Sequence, residues 1–127
     1  YEIALVTGVR LVLFRSIILG QMQGGFLQGI GYASMEQMDY NDKGMIRNNS
    51  LSDYTIPTSV DVPNLVTEIM NNPYTHGPYG AKGAGELPLV GVAPAYVEAM
   101  ESALGVNLNK APFTTEDTMR VLQRGFK

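Results

Sequence analysis

From residue 17 to residue 38, apolar side chains recur every three or four positions, and Ile18, Met22, Phe26, Ile30 and Ala33 fall on one face. That period predicts a helix. Ahead of it, residues 1–6 are rich in Ile, Leu and Val and stop near Gly8, which predicts a short strand. Residues 9–14 form a second apolar run, broken only by Arg10. Beyond the helix, Asn41-Asp42-Lys43-Gly44 separates Met38-Asp39-Tyr40 from Met45-Ile46-Arg47, a hairpin signal. Residues 48–63 are polar and punctuated by proline, so an extended connection is expected, with a short strand near 54–56. Residues 65–70 alternate as a strand does, and 71–88 read as loop. Pro94 suits the first turn of a helix that stops before Gly105, with Val97, Met100 and Leu104 as its apolar stripe. Residues 106–108 read as a short strand. Thr114 and Asp117 have the spacing of a capping box opening a last helix that Gly125 ends. The expected fold class is α+β: a mixed or antiparallel sheet with about three helices packed on it.

Composition narrows the chemistry. The 127 residues are 45% hydrophobic, in the range of a folded domain, and the length suits a single domain spanning 1–127. Nine Lys+Arg against twelve Asp+Glu give a net charge of −3 with no basic run, which argues against nucleic acid or an anionic membrane surface as partner. Zero cysteines exclude a disulfide framework, a thiol nucleophile and Cys-ligated metal in this chain. A single histidine, His76, excludes a multi-His site and reads as a loop surface residue. Residues 16–35 carry no charge and approach the length of a membrane span. They hold Gln21, Gln23 and Gln28 among five glycines, and amides in hydrocarbon are costly, so a transmembrane helix is rejected. The chain begins without Met or a positively charged leader, mid-pattern, as a piece of a longer protein would. A cytoplasmic setting is expected.

Two glycine-rich segments need a reason. In residues 20–31, Gly24, Gly25, Gly29 and Gly31 would together cost about 4 kcal/mol inside a continuous helix. Gly25, Gly29 and Ala33 lie four apart and form a smooth groove, open equally to tight internal packing or to a closely approaching ligand. Gln21 at the helix start offers a carboxamide that can donate and accept hydrogen bonds. The second segment, residues 77–88, matches neither a P-loop nor a dinucleotide fingerprint. It offers unhindered backbone amides beside one cation, Lys82, and one carboxylate, Glu86. Lys82 is most simply a solvated cation. Glu86 reads either as a surface acid at a helix start or as a general base held in an apolar pocket.

Together the segments are more specific than either alone. "GQMQGGFLQGIGYASMEQM" (20–38), "SLSDYTIPTSVDVP" (50–63), "GPYGAKGAGELP" (77–88) and "APFTTEDTMRVL" (111–122) resemble, in order, the C-terminal part of the molybdenum-binding subunit of the xanthine dehydrogenase and aldehyde oxidase family. The resemblance implies a molybdopterin cofactor, in mono- or dinucleotide form, with no metal ligand from the protein. It implies hydroxylation of a heteroaromatic or aldehyde carbon with oxygen from water, with Glu86 of the "GAKGxGE" motif as the base. Gln21 of the "GQ" motif and Lys82, Gly83, Ala84 and Gly85 would line the cofactor. The implied partners are the rest of the molybdenum subunit and iron–sulfur and flavin subunits, with a homo-oligomer as another association. Residues 7–16 depart from the family, lacking its asparagine–proline step before "GQ". Because the resemblance covers only the tail of a much longer subunit, the chain alone is expected not to turn over. The alternative is a non-catalytic assembly or self-association domain.

Overall fold

A single long helix organises the chain. The computed structural model describes residues 8–70 and 72–123, so the strand expected at 1–6 and the closing Gly125 lie outside the described residues. Helix α1, Gly8–Ser34, has 27 residues and is about 40 Å long. It takes in the apolar run at 9–14, since no proline or turn sequence separates that run from the periodic segment. Gln21 therefore sits in the interior of α1 and not at its start. The helix ends where the N–H groups of Met35 and Glu36 both donate to the Gly31 carbonyl, at 2.9 and 2.8 Å. None of the described helices is long and apolar enough to cross a membrane.

Among the described residues three further α-helices follow, after a single 3-10 turn at Pro78–Gly80. Helix α2, Leu87–Val90, is one turn with Pro88 near its start. Helix α3, Val92–Leu104, follows at once and ends at Gly105, whose φ of 66° is left-handed and whose N–H donates to the Glu101 carbonyl at 2.8 Å. Helix α4, Thr115–Gln123, opens on the expected capping box. The Thr114 hydroxyl accepts from the Asp117 N–H at 3.3 Å, and the Asp117 carboxylate accepts from the Thr114 N–H at 3.2 Å.

The groove on α1 is filled by the chain itself. A Cβ on Gly25 would lie 2.9 Å from Pro88 Cβ, and one on Gly29 would lie 2.5 Å from Val92 Cβ. Four residues on, the Ala33 carbonyl accepts from the Phe113 N–H at 2.7 Å. Ala33, Val92 and Phe113 are the buried hydrophobic residues among those described. The glycine groove is thus a seam for α2, α3 and the segment before α4, and close packing offsets part of the helix-propensity cost.

The expected sheet is not formed. Among the described residues there is no strand, and the expected hairpin is reduced to one antiparallel bridge between Tyr40 and Ile46. Backbone bonds from Asn41 N–H to the Met45 carbonyl and from Arg47 N–H to the Asp39 carbonyl, at 2.9 and 2.7 Å, close it together with side chains: Asn41 Oδ1 accepts from the N–H groups of Lys43 and Met45, while Asn48 accepts from the Asp39 N–H and donates to the Gln37 carbonyl. Residues 65–70 are extended and keep their alternation, Leu65 and Thr67 half-buried and Val66 86% exposed, yet they pair with no second strand. They lie beside α1, with Met22 and Phe26 lining the cleft between them. Residues 54–56 and 106–108 likewise find no ladder; the Leu108 N–H donates to the Glu101 carboxylate instead. Extended segments become a sheet only when their backbone groups find partners. Among the described residues, only the short Asp39–Arg47 turn finds such partners.

Much apolar surface is left open. The accessible surface is 10223 Å², against about 6,600 Å² for a compact domain of this mass. Val60, Val66, Met70 and Leu51 are 90, 86, 84 and 79% exposed.

Candidate active site

The second glycine-rich segment divides into two physically different halves. Residues 74–81 close on themselves. The Tyr74 N–H donates to the Gly80 carbonyl at 3.0 Å, the Gly77 N–H to the Tyr74 carbonyl at 3.1 Å, and the Ala81 N–H to the Pro78 carbonyl at 3.0 Å. Gly80 has a φ of 78°, and a Cβ there would meet Pro73 Cβ at 2.8 Å, so glycine is required by both conformation and space. The His76 and Tyr74 rings meet edge to face, centroids 5.5 Å apart, which makes His76 part of this closure.

Residues 82–86 are open. Among the described residues, the backbone N–H groups of Lys82, Gly83, Ala84, Gly85 and Glu86 donate to no acceptor of the chain. Lys82, Gly83, Gly85 and Glu86 are exposed and Ala84 is half-buried. A Cβ on Gly83 or Gly85 would meet nothing within 4 Å. This half has the makings of a cradle: consecutive amides and no side-chain obstruction.

The structure brings the two glycine motifs together. Gln21 Nε2, from the interior of α1, donates to the Gly85 carbonyl at 3.2 Å across 64 positions of sequence. Glu86 comes next, immediately before α2, its carbonyl accepting from the Leu89 N–H at 3.0 Å. Its carboxylate is exposed, not enclosed in an apolar pocket. An open cleft of about 370 Å³ lies nearby, lined by Met22, Phe26, Leu65, Thr67 and Pro88 among others. Pro88, Val92 and Phe113, which complete the seam, were not singled out from the sequence. The spacing of Gly25, Gly29 and Ala33 demands some such partner but does not name it.

Comparison with known proteins decides the family. A profile of the molybdopterin cofactor-binding domain matches residues 11–63. The putative xanthine dehydrogenase molybdenum-binding subunit of Escherichia coli K12 is 40% identical over 96 residues, 75% of this chain and 13% of the relative. This chain belongs to the xanthine dehydrogenase-type family of molybdenum-binding subunits. The carbon monoxide dehydrogenase large chain of Hydrogenophaga pseudoflava, a second member, is 37% identical over 102 residues, 78% of this chain and 13% of that one. Among solved structures, quinoline 2-oxidoreductase from Pseudomonas putida 86 superposes with a TM-score of 0.77 at 34% identity, over 86% of this chain and 14% of that one. The family resemblance carried by the four sequence motifs is thereby borne out. The family is one of oxidoreductase subunits whose matched domain binds molybdopterin. The chain spans 13% of the length of these curated relatives.

The donor set fits such a cofactor. Five unpaired amides in a row, two of them on glycines with open space where a Cβ would stand, suit a polar heterocycle or phosphate approaching the backbone closely. Among the described residues, no group of three or more His, Cys, Asp or Glu is placed to hold a metal directly.

Proposed function

We propose that this chain is the C-terminal part of the molybdenum subunit of a cytoplasmic hydroxylase. In this reading it contributes the general base Glu86 and one wall of the cofactor pocket. The observation that carries the reading is the Gln21–Gly85 hydrogen bond, which joins the two family motifs and leaves Glu86 at the end of an open amide cradle. The Lys82–Gly85 backbone holds the cofactor, with the Lys82 ammonium available to an anionic group on it. When bound, the molybdenum cofactor supplies the two-electron oxidation of the substrate carbon. Glu86 takes the proton from the water-derived oxygen as that oxygen bonds to an electron-poor carbon of a nitrogen heterocycle or aldehyde. Overall, substrate C–H and water become C–OH, two protons and two electrons, and iron–sulfur and flavin subunits carry the electrons away.

A base of this kind works as an ionised carboxylate in a water-poor site. Glu86 is exposed in this chain, and the exposed apolar surface around α1 and residues 51–70 supports the view that the remainder of the subunit closes over it. On this reading the isolated chain is inactive. The test is Glu86→Gln in the complete enzyme, assayed with a nitrogen heterocycle and an aldehyde. Loss of turnover by a factor of at least about 100 is expected. Near-normal turnover would leave the assembly-domain alternative in its place.

A further inference from the structure

Helix α1 meets the rest of the chain along one line. Residues 21, 25, 29 and 33 are spaced four apart and face, in order, Gly85, Pro88, Val92 and Phe113. Three of these rungs are tight backbone or carbon contacts. The fourth, Gln21 to Gly85, is polar and lies at the end nearest Glu86. Among the described residues it is the one side-chain hydrogen bond that ties residues 82–86 to any helix. On its C-terminal side the loop is held at Glu86, whose carbonyl accepts from the Leu89 N–H, and a Cβ at Gly83 or Gly85 would touch nothing.

The bond acts on Glu86 through one peptide plane. In a trans peptide the carbonyl and the following N–H point in opposite directions. Holding the Gly85 carbonyl against α1 turns the Glu86 N–H away from α1. It also fixes where the Glu86 Cα begins.

We infer that Gln21 is a positioning residue for Glu86, bracing the Gly85–Glu86 peptide from α1. This rests on the reading of Glu86 as the base. One of its two carboxamide N–H groups is committed to the loop backbone, so it acts on Glu86 through Gly85.

The experiment is Gln21→Met in the assembled enzyme, a replacement of similar length without a donor. Turnover per bound molybdenum should fall about tenfold to a hundredfold, as expected when a catalytic group is misplaced, with KM and molybdenum and pterin content unchanged. In a crystal structure of the assembled variant, residues 83–87 should be displaced or carry raised B-factors, while α3 keeps its wild-type position and reports an intact fold. Gln21→Glu adds a pH signature. An ionised carboxylate cannot donate to the Gly85 carbonyl but a protonated one can, so the turnover of this variant relative to wild type at the same pH should rise on the acid side, where that of Gln21→Met stays flat. Cofactor content that falls while turnover per molybdenum is kept would make Gln21 a cofactor ligand and overturn the inference. Residues 83–87 at their wild-type position with wild-type B-factors would remove the brace alone. Near-normal turnover in Glu86→Gln would remove the base, and the inference with it, whatever Gln21→Met does.

Discussion

Gly29 and Val92 stand so close that no further carbon fits between them: a Cβ on Gly29 would lie 2.5 Å from Val92 Cβ and 2.9 and 3.0 Å from its two methyl groups. Alanine at 29 would gain about 1 kcal/mol of helix propensity. It would also force α1 and α3 apart, and overpacking of this kind costs roughly 1–3 kcal/mol. Gly29→Ala is therefore expected to lower the thermal midpoint. Gly24→Ala tests the other half of the argument, because a Cβ there meets nothing within 4 Å. It should stabilise the chain by up to about 1 kcal/mol. Opposite signs in two circular-dichroism melts would support the seam; the same sign would refute it.

Acid should weaken α4 through one residue. The Asp117 carboxylate accepts from Lys110 Nζ at 2.5 Å and from the Thr114 N–H and hydroxyl at 3.2 and 3.1 Å, and it pairs with Arg120 at 3.2 Å. The Lys110 bond first, and the Thr114 N–H next, hold its carboxyl at about 2, below the ordinary 3.8. With the folded value depressed, the unfolded chain takes up the proton first. The stabilisation is complete above 3.8 and is lost as pH falls through about 2. The thermal midpoint of the wild type should fall across that window, and Asp117→Asn should flatten the fall. Thr114→Ala, which removes the hydroxyl cap, should cost about 1 kcal/mol at neutral pH.

The connection after α1 is anchored by a charge-assisted bond from the Tyr54 phenol to Glu36 Oε2 at 2.7 Å. That bond, with smaller help from burial, raises the phenol above its ordinary 10.0. Tyr54→Phe should destabilise by about 1 kcal/mol, the low end for a bond to a charged group because the site is only partly buried. A tyrosine raised in the folded state contributes stability that is present below its unfolded value and lost as pH rises above it. Midpoints of wild type and Tyr54→Phe should therefore converge in alkali.

Local rules read well from this sequence, and pairing rules did not. The capping box at Thr114 and Asp117, the stop at Gly105 and the Asn41–Gly44 turn each depend on residues within a few positions, and all three appear in the structure. The long helix was readable from its period, but its N-terminal third was not, because residues 9–14 are apolar without being periodic. Strands at 65–70 and 106–108 failed for a different reason. Alternation specifies which side chains share a face, and Leu65 and Thr67 do turn inward together. It cannot supply the neighbouring strand that makes a ladder. The candidate site was readable as motifs, whereas the contact between Gln21 and Gly85 was not, since nothing in either motif names the other.

Gly83 and Gly85 pose the last test. Neither has a left-handed φ, and a Cβ on either would meet nothing within 4 Å, so no contact among the described residues requires glycine there. Gly80, three residues before Gly83, is the contrast: its φ of 78° and its approach to Pro73 make Gly80→Ala costly, by about 1–2 kcal/mol. Gly83→Ala and Gly85→Ala should change the melting of the chain by no more than about 0.5 kcal/mol. If the cofactor meets this backbone as proposed, the same two substitutions should lower the molybdenum and pterin bound per subunit in the assembled enzyme, because each added methyl group would stand in its way. Wild-type loading in both variants would mean that the open amides face something other than the cofactor, and the cradle would lose its role.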